Sequence, residues 1–192
     1  MSELITAEKN AHRQRVREQL PTLSAEDKAA AARSMCARLR KLPVWANAQS
    51  VLLFAPRPDE PDLWPLVESG LQAGKQVALP RFVAESAAYE AALITDPARD
   101  VVAGKFGILE PSPFCSVADL KRLDLVLVPG VAFDWHGHRL GRGKGFYDRL
   151  LATVSGKTCG VAFDVQLLSA LPVEPHDVRL NCILTPSHWL EF

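Results

Sequence analysis

Apolar residues along this chain fall into two patterns, short uninterrupted runs and repeats with helical spacing. A short apolar run that is bounded by polar or turn residues is typical of a buried strand. The run LVLV, which lies between Asp124 and Pro129, is the clearest example. Runs that predict strands lie at residues 50–55, 76–79, 89–95, 125–128, 157–163 and 182–185.

Helical spacing appears between these runs, so that helices and strands alternate. Segments that predict helices lie at residues 3–20, 24–41, 62–71 and 145–151. Ser24 and Asp27 form a variant of the capping box at the start of the second helix. Alternation of this kind predicts one sheet flanked by helices. We therefore predict a single α/β domain over residues 1–192, with three α/β/α layers and a mostly parallel mixed sheet. Residues 1–42 form an N-terminal helical segment packed on it.

Two of the predicted loops carry groups that could serve a ligand. The turn PRPDEPD follows the strand at 50–55 and contains Asp59 and Glu60. Glu60 could point into a crevice or into water, and without further information water is favoured. Phe106 lies in a long loop at 96–114, where its ring could anchor the loop on the core or form a stacking platform for a flat ligand.

The composition suits a globular protein with reduced thiols. The chain has 192 residues, a hydrophobic content of 48% and a formal net charge of zero, so that a general polyanion binder is disfavoured. Its four cysteines are scattered without a CxxC pair, which favours free thiols over a disulfide framework or a zinc site. No apolar run has the length of a membrane span, and the N-terminal residues lack a signal-peptide core. We therefore expect a cytoplasmic protein that binds neither membrane nor nucleic acid.

A glycine-rich, cationic stretch follows the strand at 125–128. The residues that give it this character are Gly137, Arg139, Gly141, Arg142, Gly143, Lys144 and Gly145. Glycines let backbone N–H groups approach a ligand, and the cations add positive charge. An anion, most commonly phosphate, is the expected occupant at the carboxyl end of a strand. A mobile basic surface loop is the alternative, but the buried strand before the stretch and the Phe146-Tyr147-Asp148 sequence after it argue against that.

This stretch matches neither of two common phosphate-binding motifs. A P-loop requires GxxxxGK followed by Ser or Thr, whereas Gly145 follows Lys144 and His138 stands five residues before Gly143. A dinucleotide fingerprint requires GxGxxG, and Phe146 occupies the place of its last glycine. What remains is a GxGxG pattern with cations between the glycines.

Two further sets of residues leave their roles open. Lys9, Arg13 and Arg17 share one face of the first helix, which is either solvated or laid against an anion. His136 and His138 flank a glycine, but no third ligand lies nearby in sequence, so that a metal site built on them is disfavoured. Spacing alone does not decide the role of the basic stripe.

Taken together, these residues resemble a known family. The stretch LVLVPGVAFDWHGHRLGRGKGFYDRL is similar to the signature of the 5-formyltetrahydrofolate cyclo-ligase family, also called methenyltetrahydrofolate synthetase. The resemblance spans nearly the whole chain, and GRGKGFYD is its most specific part. Other segments in the family's order are Lys9 with Arg13, Asp59-Glu60, Leu79-Pro80-Arg81-Phe82, 107–111 and 172–177.

The resemblance implies a ligand for most of these segments. Implied ATP contacts are Lys9, Arg13, Arg139, Leu140, Gly141, Arg142, Gly143, Lys144, Gly145, Phe146 and Tyr147. Implied folate contacts are Ala55, Glu60, Phe82, Phe106, Arg142 and Phe146, with Glu60 bonded to the pterin. Arg142 and Lys144 are implied to be the main catalytic cations, and Asp148 and Asp177 to hold Mg²⁺.

The implied reaction converts 5-formyltetrahydrofolate and ATP into 5,10-methenyltetrahydrofolate, ADP and phosphate. Phosphorylation of the formyl oxygen makes it a leaving group, and N10 then closes the ring. The chain departs from the family where some relatives carry Trp at the position of Phe106, or Tyr at those of Phe82 and Phe146. Stacking survives these changes, whereas a polar donor is lost. Asn181 stands where an acidic residue is common, which bears on the charge of the metal site.

Two other functional hypotheses remain. A non-catalytic protein of the same fold that binds a nucleotide or a folate is disfavoured, because both implied metal carboxylates and the phosphate cations are present. An RNA contact through the basic helix is disfavoured by the zero net charge and by the lack of aromatic residues in that helix. We expect a monomeric enzyme whose partners are ATP and 5-formyltetrahydrofolate.

Overall fold

A computed structural model of the protein describes residues 2–104 and 107–192, so that the role expected of Phe106 lies outside the described residues. In chain order the helices are α1 (Ser2–Gln19), α2 (Ala25–Lys41), α3 (Pro43–Ala46), α4 (Trp64–Gln72), α5 (Pro97–Asp100) and α6 (Phe146–Leu151). The strands are β1 (Ser50–Leu52), β2 (Gln76–Val83), β3 (Ala88–Ile94), β4 (Val101–Ala103), β5 (Leu109–Pro111), β6 (Leu125–Val128), β7 (Ala132–Asp134), β8 (Arg139–Leu140), β9 (Lys157–Val161), β10 (Leu167–Leu168), β11 (Cys182–Leu184) and β12 (Trp189–Glu191). No helix of these residues is long and apolar enough to cross a lipid bilayer.

A seven-stranded sheet forms the centre of the part of the chain that the structure describes. Its strand order is β12-β11-β9-β6-β1-β2-β3. The inner five strands run parallel to one another, whereas β3 and β12 pair antiparallel at the two edges. This arrangement confirms the predicted mixed, mostly parallel sheet. The carboxyl ends of the parallel strands lie along one rim, where ligand sites form in α/β proteins.

Apolar side chains on both faces bury the sheet between two layers. Val51 of β1 belongs to the core on one face, together with residues of α1, α2 and α4. Leu52 and Val126 belong to the core on the other face, with Leu150 and Leu151 of α6. Alternate residues of a strand point to opposite faces, so a strand covered on both sides needs an uninterrupted apolar run. The predicted three-layer arrangement is therefore present.

The predicted starts of two helices are present in atomic detail. At the start of α2, the Asp27 N–H donates to Ser24 Oγ at 3.0 Å and the Ser24 N–H donates to Asp27 Oδ2 at 3.3 Å, which completes the capping box. At the start of α4, Asp62 Oδ1 accepts the N–H of Trp64 at 3.0 Å. Both carboxylates satisfy backbone donors that have no partner within their own helix.

Short strands account for most differences from the predicted elements. β2 continues beyond Pro80 because its pairing with β1 ends at Ala78, so that the missing N–H of proline costs no ladder bond on that side. The predicted loop at 96–114 contains α5 and the antiparallel strands β4 and β5, and a 3-10 turn at Asp164–Gln166 is followed by β10. Inside the glycine-rich stretch, β7 pairs with β8. Strands of two or three residues are too short to show a period of two.

A buried phenylalanine supports the loop that follows β6. Phe133 of β7 is fully buried, and its ring fills the space that a side chain would need at Gly130, where a Cβ would lie 2.7 Å from the ring. A Cβ at Gly160 of β9 would overlap the same ring. Phe133 pairs with Arg139 of β8. The two glycines therefore let the ring pack directly against the strand pair that carries Arg139.

Candidate active site

Two cavities lie at the carboxyl rim of the sheet, on opposite sides of the glycine-rich loop at residues 141–145. The apolar cleft, of about 490 Å³, is lined by residues that include Ala55, Glu60, Tyr89, Leu109, Phe146 and Tyr147. The polar cleft, of about 680 Å³, is lined by residues that include Lys9, Arg13, Arg17, Glu174, His176 and Asp177. Residues that line both clefts are Arg139, Gly141, Arg142, Gly145 and Asp148. The loop is therefore a wall that the two clefts share.

Aromatic rings give the apolar cleft its character. The Phe146 ring centroid lies 5.3 Å from that of Tyr89 and 5.5 Å from that of Phe82, and all three rings meet edge to face. Phe146 and Ala55 line the cleft, whereas Phe82 contacts the rings that do. Burial raises the pKa of Tyr147 well above its ordinary value, so its hydroxyl stays protonated at neutral pH. A flat heteroaromatic group suits such a cleft.

Glu60 lies inside the apolar cleft, and the expectation that it points into water is wrong. Its side chain is only 6% exposed. One carboxylate oxygen accepts the N–H of Arg57 at 3.0 Å, and the other accepts Arg142 Nη2 at 3.0 Å. The carboxylate can be buried because a cation from the glycine-rich loop, 82 residues further along the chain, compensates its charge.

The glycine-rich loop divides its predicted cations between the two clefts. Arg142 lines both, whereas Lys144 is exposed and lines the apolar cleft. Gly145 precedes α6 with a φ of 65°, a conformation that glycine adopts without strain. Because α6 has only six residues, the dipole expected of this helix is small. Positive charge at the loop therefore comes mainly from the arginines and Lys144.

Lys9 of α1 is buried in the wall of the polar cleft. Its Nζ donates to Glu174 Oε2 at 2.8 Å and to Asp177 Oδ2 at 2.6 Å. Burial alone would lower the pKa of Lys9, but the two carboxylates outweigh it and raise that pKa. Burial would likewise raise the pKa of Asp177, but Lys9 and the N–H of Glu174 outweigh it and lower that pKa. Lys9 is therefore not on a solvated face, because it is buried against the protein's own carboxylates, and a contact between the basic stripe and a ligand anion stays a prediction.

Two further arginines connect the loop to its surroundings. Arg13 of α1 donates from Nε to the carbonyl oxygen of Gly141 at 2.9 Å. Arg139 donates from Nη2 to Asp148 Oδ1 at 2.6 Å, and its side chain is only 4% exposed. Arg17 lines the polar cleft but is exposed. The first helix, the loop and Asp177 thus face one another across a single cavity.

The polar cleft contains oxygen ligands suited to a divalent cation. Ligand atoms of Glu174, His176 and Asp177 lie within 4.8 Å of one another. Carboxylate oxygens are the ligands that Mg²⁺ prefers. Asp148 lines the same cleft, where it pairs with Arg139. Glu174 and Asp177 therefore offer oxygen ligands for the metal that the resemblance implies, whereas Lys9 contacts the same two carboxylates and Asp148 lies outside this group of ligand atoms.

In the part of the chain that the structure describes, Asn181 lines neither cleft. Its Oδ1 accepts the backbone N–H of Thr158 at 2.8 Å and the hydroxyl of the same residue at 3.0 Å. Thr158 lies near the amino end of β9, on the opposite rim of the sheet from the clefts. The amide therefore joins two strands, and the missing acidic charge does not fall at the polar cleft.

The two loop histidines belong to a structural network. Asp134 is fully buried, and its Oδ1 accepts the N–H groups of His136 and His138 at 2.9 Å each. Its Oδ2 lies 3.0 Å from Nδ1 of His138 and accepts the N–H of Leu171 at 3.0 Å. This carboxylate orders the turn between β7 and β8. In the described part of the chain, the group of possible metal ligands is Glu174, His176 and Asp177, and it does not include these histidines.

Among the cleft residues that the sequence did not mark as site residues are Tyr89, Glu110 and Glu174. Tyr89 and Glu110 line the apolar cleft, and Glu110 Oε2 accepts the N–H of Phe82 at 3.0 Å. Glu174 is the second carboxylate on Lys9. Only Glu174 carried a signal, since it lies three residues before Asp177, whereas nothing local distinguishes the other two from ordinary strand and hairpin residues.

An apolar cleft and a polar cleft that share a cationic wall define a site with room for two ligands on an α/β domain. Residues 5–186 match the 5-formyltetrahydrofolate cyclo-ligase family. The chain therefore belongs to this family of enzymes, as the resemblance indicated.

Individual relatives agree with this assignment. The 5-formyltetrahydrofolate cyclo-ligase of Escherichia coli (strain K12) is 35% identical over 176 residues, which cover 90% of this chain and 97% of the relative. The NMR structure of 5,10-methenyltetrahydrofolate synthetase from Aquifex aeolicus superposes with a TM-score of 0.86 at 32% identity, covering 95% of this chain and 92% of that one. The structure of the Mycoplasma pneumoniae synthetase, with a TM-score of 0.73 at 21% identity over 93% of this chain and 99% of that one, shares the fold.

Proposed function

We propose that the protein catalyses the ATP- and Mg²⁺-dependent conversion of 5-formyltetrahydrofolate to 5,10-methenyltetrahydrofolate, with release of ADP and phosphate. The E. coli and A. aeolicus relatives are named for these two folates. The observation that carries the proposal is the shared wall: Arg139, Arg142 and Asp148 line both clefts. Two substrates bound on the two sides of this wall would meet at its cations.

The reaction requires activation of a poor electrophile. An N-formyl group is amide-like, and its oxygen is a poor leaving group. Transfer of the γ-phosphoryl group from ATP to the formyl oxygen breaks the terminal phosphoanhydride bond and gives ADP. N10 then attacks the formyl carbon, the ring closes, and the former formyl oxygen leaves with the phosphate. The protein must align the formyl oxygen with the phosphoryl group and offset the charge that develops there.

The polar cleft is the proposed site of the triphosphate. Lys9 and Arg13 approach it from α1, and Gly141 and Gly143 bring backbone groups to its other side. Arg142 of the shared wall would then stabilise the transferring phosphoryl group, with Lys144 beside it on the folate side. These residues act by position and charge, since phosphoryl transfer needs little covalent chemistry from the protein.

Asp148 and Asp177 are the proposed ligands of Mg²⁺, with Glu174 beside Asp177. A bound Mg²⁺ would orient the phosphates and neutralise part of their charge. Lys9 already supplies a positive charge at this position, which keeps the carboxylates of Glu174 and Asp177 close together. A metal ion bound to Glu174 and Asp177 would share these two carboxylates with Lys9.

The apolar cleft is the proposed site of the folate. Phe146 and Tyr89 supply faces and edges for the pterin and the aminobenzoyl ring, and Phe82 fixes the position of Phe146. Glu60 is the buried carboxylate that would accept hydrogen bonds from pterin N–H groups. Enclosure of the formyl group between these rings and the loop would limit hydrolysis of ATP by water.

The direct test mixes the protein with Mg·ATP and 5-formyltetrahydrofolate and follows the methenyl product by its near-ultraviolet absorbance. The expected result is one ADP for each methenyltetrahydrofolate, with no product when ATP is replaced by a non-hydrolysable analogue. Binding of both ligands without formation of product would contradict the proposal and leave a non-catalytic binding protein.

A further inference from the structure

Arg149 of α6 lines neither cleft, yet its side chain contacts three segments beside the apolar cleft. Its Cζ lies 5.3 Å from the centroid of the Phe146 ring. Its Nη2 donates to the carbonyl oxygen of Ala87 at 2.8 Å, and its Nη1 donates to that of Lys144 at a longer 3.4 Å. The guanidinium therefore joins the start of α6, the glycine-rich loop and the turn between β2 and β3.

The turn that Arg149 contacts belongs to the hairpin that supports the Phe146 ring. β2 contributes Phe82 and β3 contributes Tyr89, and both of these rings contact the Phe146 ring. Ala87 has a φ of 47°, a left-handed conformation that glycine adopts more readily than alanine. Such a conformation persists where its surroundings fix it, and the bond from Arg149 to the carbonyl oxygen of Ala87 is one such contact.

The apolar core anchors the carboxyl-terminal end of α6 more firmly than its start. Leu150 and Leu151 are buried in the core, whereas Phe146, the first residue of the helix, is only partly buried. A helix of six residues is too short to be stable by itself, so its start depends on contacts with its neighbours. Because a cation near an aromatic ring attracts it, Arg149 adds to the contacts that hold the Phe146 ring.

We infer that Arg149 is a positioning residue that holds the Phe146 ring, and the backbone of Lys144 beside it, against the β2–β3 hairpin for the binding of folate. This inference rests on the proposed function. Without the guanidinium, the ring would occupy its place in only a fraction of the molecules, and the apparent affinity for folate would fall by that fraction. Arg149 does not line the polar cleft, so the affinity for ATP should change little.

The test replaces Arg149 and compares the two substrates. Arg149→Met keeps a long side chain but removes its charge and its donors. We expect the KM for 5-formyltetrahydrofolate to rise roughly fivefold, the scale of one lost cation–π contact, and the KM for ATP to change less than about twofold. Arg149→Lys keeps the charge near the ring, and its KM for 5-formyltetrahydrofolate should lie between the other two values. Steady-state assay of methenyl formation gives both constants.

Lys75→Met is the matched control, because Lys75 makes the same kinds of contact elsewhere. Its Nζ lies 5.5 Å from the centroid of a Trp45 ring and donates to the carbonyl oxygens of Trp45 and Ala48. Lys75 immediately precedes β2, at the amino ends of the parallel strands, and lines neither cleft. Its replacement should lower the free energy of unfolding and leave both KM values unchanged.

A second measurement does not require turnover. Amide hydrogen exchange of the free protein should be faster at residues 84–87 and 144–147 in Arg149→Met than in the wild type, and unchanged there in Lys75→Met. The inference is overturned by an unchanged KM for 5-formyltetrahydrofolate, by equal increases in both KM values, or by unchanged exchange at these residues. If the wild-type protein forms no methenyltetrahydrofolate, the proposed function fails, and the exchange measurement still shows whether Arg149 positions this segment.

Discussion

The apolar and the polar cleft are built in different ways, although they share a wall. The apolar cleft takes its rings from β2, β3 and α6, elements whose positions the sheet and its core determine. The polar cleft is closed by charged contacts between α1 and the segment that precedes β11. One cleft is therefore shaped by packing before any ligand arrives, and the other by ion pairs whose members a charged ligand can recruit.

This difference indicates how one small domain could bind two chemically different ligands. Ring stacking needs a rigid surface, because a shift of the rings would lose contact area. A polyphosphate needs strong charge, which would repel itself if left uncompensated before the ligand binds. Pairs such as Lys9 with Asp177 and Arg139 with Asp148 keep that charge in place and neutralised.

The largest effect is expected from a cation of the glycine-rich loop. Lys144→Ala removes a cation close to the developing phosphoryl charge and should lower kcat by about 10²–10³-fold, the cost of one stabilising group in a preorganised site. Steady-state assay of methenyl formation measures it. Lys121→Ala, at an exposed site away from both clefts, is the control. Wild-type turnover in Lys144→Ala would mean that the role of the loop is misassigned.

A substitution confined to the apolar cleft should affect one substrate only. Glu60→Gln removes the charge that the proposed pterin contacts need, and the KM for 5-formyltetrahydrofolate should rise by roughly 10–100-fold, the scale of a charge-assisted hydrogen bond. The KM for ATP should change little. Glu85→Gln, at an exposed turn, serves as the control. A change in the KM for ATP of the same size would show that the two clefts do not separate the substrates.

The corresponding change in the polar cleft concerns the metal. Asp148→Asn and Asp177→Asn should each raise the Mg²⁺ concentration needed for half-maximal activity by about tenfold or more. Titration of the activity with Mg²⁺ at saturating ATP gives this value. Asp164→Asn, on a separate carboxylate bonded to Thr185 and Ser187, is the comparison. An unaltered titration in either variant would contradict its assignment as a ligand.

The smallest effect concerns the stability of the contact between α1 and the rim. Lys9→Met leaves Glu174 and Asp177 without their cation and should lower the free energy of unfolding by about 2 kcal/mol, less than for a fully buried pair because the group is partly solvated. Chemical denaturation at pH 7 measures this, with Arg15→Met on the exposed side of α1 as control. A loss no larger than the control's would mean that the ion pairs do not anchor the helix.

The pH dependence of stability has a defined sign. The folded-state pKa of Asp177 is lowered from 3.8, so its contribution is complete above that value and is lost as the pH falls through the lower folded pKa. The pKa of Lys9 is raised, so its contribution is lost only above about 10.5. In Lys9→Met the loss of stability below pH 4 should be shallower than in the wild type.

Local patterns predicted what depends on neighbours in sequence. The LVLV run, the capping box of Ser24 and Asp27 and the order of the loop residues were all visible, because burial on two faces and helix capping act within a few residues. The family resemblance then supplied the candidate site residues, whose roles stay predictions. The features that the sequence did not reveal depend on distant partners. The Glu60 side chain points toward Arg142, and Lys9 is buried against Asp177, which lies 168 residues away.

The close packing of the Phe133 ring against Gly130 and Gly160 has a consequence for any mutational survey of this protein. Adding a single methyl group at Gly160 would displace the ring, and through it the β7–β8 ribbon that carries Arg139. The substitution would lower kcat, although Gly160 lies within β9 and outside both clefts. A survey of tolerated substitutions would therefore find intolerant glycines in the sheet interior as well as in the clefts, because packing at those positions requires the absence of a side chain.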